Sequence, residues 1–152
     1  AQPASRMTPP PPPESALVLD TNIVLDVLVF DDAAAQPLRD ALAAGTLRWL
    51  TTAAMRDELQ RVLGYPQILP RLAHRALSAA DVLRRFDSLA RRVEPPGKAP
   101  VSCKDQDDQK FVDLAVAHRA VLLSKDGAVL ALRKRLAVLG VPVATAWPNT
   151  RM

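Results

Sequence analysis

Short apolar runs alternate along the chain with longer segments in which apolar residues recur at helical spacing. Four runs predict buried strands, because each is apolar and stops at a polar or turn residue. They are residues 16–19, 47–50, 121–124 and 141–145. Strands that alternate with helices are typical of a parallel sheet covered on both faces, so the pattern predicts an α/β domain.

The segments between these strands predict helices. They cover residues 23–30, 33–44, 52–63, 67–75 with a break at Pro70, 78–92, 107–118 and 128–139. Thr21 or Asn22 is expected to cap the first helix, and Gly45 to close the second. Ser78 and Asp81 have the spacing of a capping box. Residues 93–103 are expected to form a loop.

The two ends of the chain differ in composition from its middle. Residues 1–15 include five consecutive prolines and are expected to be an extended or disordered leader. Residues 1–6 precede Met7 and are interpreted as an expression remnant. This leaves a globular domain at 16–147 and a tail at 148–152.

Two kinds of targeting segment are not recognisable in the given residues. No apolar stretch approaches the roughly 20 residues needed to span a bilayer, and no secretory signal is recognisable. The single cysteine, Cys103, cannot form an internal disulfide and fits a reducing compartment. A cytoplasmic protein with no membrane partner is therefore expected.

The overall charge is positive, with a net value of +4 and an isoelectric point of about 9.7. Such a balance favours polyanionic partners such as RNA, although an arginine-rich, high-GC genome explains it equally well. Only 4% of the residues are aromatic, which argues against a platform that stacks bases.

Four acidic residues occupy positions that suit a catalytic or metal-binding role. Asp20 and Asp126 each follow an apolar run, which places both at the carboxyl ends of strands. Glu58 lies three residues after Met55, on the inward stripe of its helix. Asp108 lies in the first turn of a helix, on the face of Phe111 and Val112.

Each acid alone has an ordinary explanation. Asp20 and Asp126 could be helix caps, Glu58 could reach solvent, and Asp108 could be a solvated first-turn acid. In an open α/β sheet, however, the carboxyl ends of the strands meet in one crevice. Clustered carboxylates repel one another unless a cation neutralises them, and oxygen-only ligation suits Mg²⁺ or Mn²⁺.

Several other site types lack their residues. Neither the glycine-rich turn of a nucleotide-binding P-loop nor a dinucleotide fingerprint is present. His74 and His118 lack metal-ligand spacing. A phosphatase of the haloacid dehalogenase type would need a second acid two residues after Asp20, and Asn22 occupies that position.

Four segments together resemble the PIN-domain nucleases, and in particular the branch of toxin-antitoxin components known as VapC-like ribonucleases. The segments are Leu17-Val18-Leu19-Asp20-Thr21-Asn22-Ile23-Val24-Leu25, Arg56-Asp57-Glu58-Leu59, Cys103 to Phe111, and Leu122-Leu123-Ser124-Lys125-Asp126. The resemblance covers residues 16 to about 147. It implies a three-layer α/β/α fold with a mainly parallel sheet.

The resemblance also implies a metal-dependent endoribonuclease. Asp20, Glu58, Asp108 and Asp126 match the catalytic acids that hold one or two Mg²⁺ or Mn²⁺ ions. Asn22 and Ser124 match accessory polar positions. Gln106 and Gln109 depart from the pattern, which leaves open whether Asp105 or Asp107 also ligates.

The expected partners follow from the same resemblance. They are RNA, a small antitoxin protein, and further copies of this chain in a homodimer or higher homo-oligomer. An RNA-processing nuclease that is not a toxin, or a non-catalytic PIN-like binding module, are the alternatives. Three cations near the acids are candidate phosphate contacts, although simple solvation explains them equally well: Lys110, Lys125 and Arg56.

Overall fold

A sheet of five parallel strands forms the centre of the protein in a computed structural model that describes residues 15–148. The strands lie in the order β3-β2-β1-β4-β5. Their bounds are β1 Ser15–Leu19, β2 Leu47–Thr51, β3 Ala90–Arg92, β4 Val121–Leu123 and β5 Val143–Ala144. The predicted leader, apart from Ser15, and the tail, apart from Pro148, lie outside the described residues.

Helices cover both faces of this sheet. Their bounds are α1 Thr21–Leu28, α2 Gln36–Ala44, α3 Ala53–Leu63, α4 Leu69–His74, α5 Ala79–Leu89, α6 Gln106–His118, α7 Gly127–Leu130 and α8 Arg133–Val138. A short 3₁₀ helix, Ala33–Ala35, precedes α2. The predicted α/β class and parallel sheet are confirmed.

The core consists of two apolar layers separated by the sheet. Successive strand residues point to opposite faces, so Leu17 and Leu19 contribute to one layer and Val18 to the other. The first layer packs against α1 to α5 and contains Trp49, whose ring meets Phe86 edge to face at 5.1 Å. The second layer packs against α6 to α8. This burial on both faces explains why the strands are almost wholly apolar.

Three sequence-based boundaries were wrong. The predicted helix 78–92 ends at Leu89, because residues 90–92 leave the helical conformation and pair with β2 as an edge strand. Pro70 does not break α4, since it lies in the first turn, where no backbone donor is lost. The predicted helix 128–139 divides at Leu132, whose N–H bonds to the carbonyl of Val129, one residue nearer than a continuous α-helix requires.

The described residues contain no helix that is both long enough and apolar enough to cross a membrane. The longest of them, α6, has 13 residues, whereas a spanning helix needs roughly 20.

The central strands should carry much of the stability. Leu122 of β4 is fully buried, so Leu122→Ala should lower the free energy of unfolding by about 2–5 kcal/mol through lost burial and a residual cavity. Urea unfolding measures the change. Val138→Ala is the matched control, because Val138 is 85% exposed and its truncation should cost no more than about 0.5 kcal/mol. Equal effects of the two substitutions would contradict this account of the core.

Candidate active site

The candidate site lies where the strand order of the sheet reverses. The chain leaves β1 toward one side of the sheet and reaches β4 on the other, so β1 and β4 are neighbours although distant in sequence. The backbone N–H of Asp20 donates to the carbonyl of Leu123 at 3.1 Å, which brings the ends of both strands together. Ligands of open α/β sheets bind in the crevice at such a point.

Asp20 is the most buried acid of this crevice, with 3% of its surface exposed. Its Oδ1 accepts from the N–H of Ile23 at 3.0 Å and thereby caps α1, where Thr21 or Asn22 had been expected to do so. Its Oδ2 accepts a hydrogen bond from the hydroxyl of Ser124. Burial raises the pKa of Asp20, and the negative charge of Asp126 adds to the rise.

Three further acids converge beside Asp20. One carboxylate oxygen from each of Asp105, Asp108 and Asp126 lies within 4.8 Å of the others. Asp105 caps α6 through the N–H of Asp107, and Asp126 caps α7 through the N–H of Ala128. Asp126 therefore both caps a helix and belongs to the acidic cluster, which is possible because a carboxylate has two oxygens.

Among these acids, Asp108 has the surroundings that are least favourable for a charged carboxylate. Its Oδ2 is buried and has no hydrogen-bond partner among the described residues. Burial, followed by the negative charges of Asp126, Asp105 and Asp20, raises the pKa of Asp108 to about 7. A buried carboxylate oxygen without a donor, beside other carboxylates, has the surroundings expected of a cation ligand.

Glu58 adjoins this cluster from α3, but both its oxygens already have partners. Oε2 accepts a hydrogen bond from the Thr21 hydroxyl at 2.8 Å, and Oε1 forms an ion pair with Lys110. Thr21 follows Asp20, and Lys110 lies two residues after Asp108. Glu58 thus contacts residues that lie close in sequence to Asp20 and Asp108, while the three-acid cluster itself consists of Asp105, Asp108 and Asp126.

All three predicted phosphate contacts pair with carboxylates in the structure. Lys110 pairs with Glu58, Lys125 with Asp26, and Arg56 with Asp87 of α5 through two short hydrogen bonds. From the sequence, Asp26 and Asp113 could be accessory acids, but exposed helix faces are the better expectation for both, and for Asp26 this expectation is wrong. Asp26 is 7% exposed and faces Lys125 at the edge of the crevice.

The predicted accessory residues occupy different surroundings. Ser124 is fully buried and connects two acids, because its hydroxyl donates to Asp20 and accepts the N–H of Asp126 at 3.0 Å. Asn22 lies exposed in the first turn of α1, and Asp107 lies exposed in that of α6.

Gln109 has a role that the sequence did not reveal. Its side chain accepts from the N–H of Cys103 and donates to the carbonyl of Val101, so it holds the loop that leads to Asp105. It also donates to Asp113 at 2.7 Å, and Asp113 in turn accepts the N–H of Ala99. The sequence does contain one signal for this role, which is that Gln109 is a polar residue on the helix that follows the long loop of residues 93–103.

This donor set fits a hard divalent cation. Every candidate ligand is a carboxylate oxygen, as Mg²⁺ and Mn²⁺ prefer, and Asp108 Oδ2 lacks any other partner. Asp108, Asp126 and Asp105 would hold such an ion, with Asp20 beside them.

The fold and this site define an α/β protein with a carboxylate centre at the switch point of a parallel sheet. The chain matches the family described as PIN domain over residues 16–127, and it therefore belongs to that family. The matched residues include all the acids described above. A search of curated proteins found no match.

The Ser124 hydroxyl should be essential to the arrangement of the acids. Ser124→Ala leaves Oδ2 of buried Asp20 without a donor and the N–H of Asp126 without an acceptor, which should cost about 1–3 kcal/mol of unfolding free energy. Ser88→Ala removes an exposed hydroxyl that bonds only to Arg85, and it should cost much less. Thermal unfolding compares the two variants. Identical melting temperatures would contradict the proposed role of Ser124.

The pKa of Asp108 predicts how stability depends on pH without divalent cations. The pKa in the folded protein, about 7, exceeds the ordinary value of 3.8. Between these values the folded state holds a proton that the unfolded state has released, so the free energy of unfolding should fall as pH rises from about 4 to about 7. Asp108→Asn should remove this part of the slope in chelator-treated protein. Asp57→Asn, which changes an exposed acid, is the control. If Asp108→Asn changes the pH dependence of the free energy of unfolding no more than Asp57→Asn does, the assigned pKa of Asp108 is refuted.

Proposed function

We propose that the protein is a metal-dependent endoribonuclease that hydrolyses RNA phosphodiester bonds. The observation that supports this most strongly is the convergence of Asp105, Asp108 and Asp126 beside buried Asp20, with one buried oxygen of Asp108 unpartnered. Membership of the PIN domain family points to nuclease activity in general. Dependence on Mg²⁺ or Mn²⁺ and the choice of RNA are part of the proposal.

A phosphodiester is an anion, and its charge opposes both approach to the acids and attack by hydroxide. A bound divalent cation supplies the charge that offsets this repulsion and lowers the pKa of water. The chain contributes by holding the carboxylates in place before substrate arrives. Asp20 and Asp126 are fixed as helix caps, and Ser124 ties one to the other. The acids therefore need little rearrangement on binding.

The attacking water must lose a proton to a nearby base. Asp108 is more available than Glu58 for this role, because its Oδ2 carries no hydrogen bond among the described residues. Glu58 has both oxygens engaged by Thr21 and Lys110. In-line attack by water leaves a 5′-phosphate and a 3′-hydroxyl.

Cleavage of RNA tests this function directly. Asp126→Asn keeps the volume of the side chain and an oxygen able to accept the Ala128 N–H, but it removes one charge from the cluster. We expect a loss of at least about 100-fold in the rate of cleavage with Mn²⁺, because even residues outside the ligand shell of a metal site cost 10–100-fold. Gel analysis of an end-labelled RNA measures the rate and identifies the ends.

Asp57→Asn is the matched control for this experiment. It makes the same chemical change on an exposed residue of α3, next to Glu58. It should cleave at the rate of the unmodified protein. Full activity of Asp126→Asn, or cleavage that persists in excess chelator, would contradict the proposal.

A non-catalytic PIN-like binding module is the second candidate. The observation that favours it is the ion pair between Lys110 and Glu58, which engages one of the four predicted acids with a side-chain cation. Such a module would bind RNA or protein and show no cleavage at any concentration of Mg²⁺ or Mn²⁺. The same assay therefore separates the two candidates.

The biological role proposed is that of a cytoplasmic toxin restrained by a small antitoxin, with an RNA-processing nuclease as the alternative. This part rests on the sequence resemblance to toxin-antitoxin components. A toxin should arrest growth when expressed alone in a bacterial host, and Asp126→Asn should relieve the arrest. A short upstream reading frame that encodes a DNA-binding partner would support it. Homodimer formation stays a prediction that light scattering can test.

A further inference from the structure

A groove lies next to the candidate active site, and none of the acids lines it. It encloses about 590 Å³ between the segment Ser102–Lys104 and the helices α7 and α8. Lys104 immediately precedes Asp105, and Gly127 immediately follows Asp126, so two of the lining residues are sequence neighbours of acids of the cluster. A volume of this size lies within the range of about 300–1,000 Å³ that is typical of ligand sites.

The walls of the groove carry positive charge and no acid. Its lining residues are Ser102, Cys103, Lys104, Gly127, Ala128, Ala131, Leu132 and Arg135. Lys104 and Arg135 are exposed, and within residues 15–148 neither forms an ion pair or a side-chain hydrogen bond. The space next to Gly127 is open, since a Cβ added there would meet no atom within 4 Å.

Neither cation is among the three candidate phosphate contacts beside the acids, but Arg135 belongs to the basic run Arg133-Lys134-Arg135, which the sequence favours for steering RNA or for meeting an acidic partner. The charges of Lys110, Lys125 and Arg56 are already offset by Glu58, Asp26 and Asp87. An RNA strand that brings one phosphate to the acidic cluster must place the neighbouring phosphates somewhere. Carboxylates repel those phosphates, whereas cations without partners attract them and release bound counterions.

We propose that this groove binds the single-stranded RNA backbone next to the cleaved bond, with Lys104 and Arg135 contacting its phosphates. The inference rests on the proposed function and adds a substrate site to it. No aromatic residue lines the groove, so base stacking contributes nothing there. Binding in the groove is therefore electrostatic and insensitive to base sequence.

The test measures RNA binding rather than cleavage. A fluorescent oligouridylate is titrated with protein in chelator at several salt concentrations, and anisotropy gives the dissociation constant. The double variant Lys104→Gln, Arg135→Gln removes both groove charges. The control, Arg133→Gln with Lys134→Gln, removes two exposed charges from the same helix that do not line the groove. Because all four residues are exposed, both variants should fold normally, which circular dichroism checks.

The groove variant should bind oligouridylate about tenfold or more weakly at low salt. The slope of log affinity against log salt should become shallower by about 1.4, which corresponds to two phosphate contacts on a single strand at about 0.7 each. The control variant should retain more of both quantities. Equal losses in the two variants, or no loss in either, would overturn the proposal.

Polyglutamate is titrated in parallel as a probe for an acidic protein partner. Groove-dependent binding of polyglutamate together with unchanged oligouridylate binding would assign the groove to a protein and overturn the proposal. The outcome is separable from that of the proposed function. If the protein cleaves RNA but the variant without the charges of Lys104 and Arg135 binds it equally well, only the groove proposal is refuted. If the protein never cleaves RNA but the groove variant shows the expected change in the salt dependence of binding, only the proposed nuclease activity is refuted.

Discussion

Repulsion among carboxylates confined in one crevice is the constraint on which this structure depends. Asp20, Asp108 and Asp126 meet at the switch point of the sheet, and burial together with their mutual charge raises the pKa of Asp20 and of Asp108. A fold that gathers acids in this way accepts a cost in stability. The apolar layers on both faces of the sheet supply the stability that such a site requires.

Helix capping explains how the acids are held despite this repulsion. Asp20, Asp105 and Asp126 each use one oxygen to accept a backbone N–H at the start of a helix. Each acid therefore stabilises the fold locally, and the helix dipoles partly offset its charge. For Asp105 and Asp126 the second oxygen lies outside the cap. A carboxylate can therefore cap a helix with one oxygen and offer the other to a cation.

Local patterns were sufficient to predict much of the fold. Apolar runs located β1, β2 and β4, and helical spacing located α1, α3 and α6. They could not predict β3, because Ala90–Arg92 continues a helical sequence and becomes a strand only through pairing with β2. The burial of Asp26 was missed for a similar reason, since its partner Lys125 is distant in sequence. Likewise, no local signal showed that Lys110 would contact Glu58, or that Asp105 would join Asp108 and Asp126.

Calorimetric titration of chelator-treated protein with Mn²⁺ at about pH 6.5, in buffers of different ionisation enthalpy, tests the central claim most directly. The account predicts saturable binding accompanied by proton release, because the cation must displace the proton that Asp108 holds at a pKa of about 7. Asp108→Asn should bind more weakly and release fewer protons. Absence of binding, or identical binding and proton release by Asp108→Asn, would show that the acids are not gathered to hold a cation.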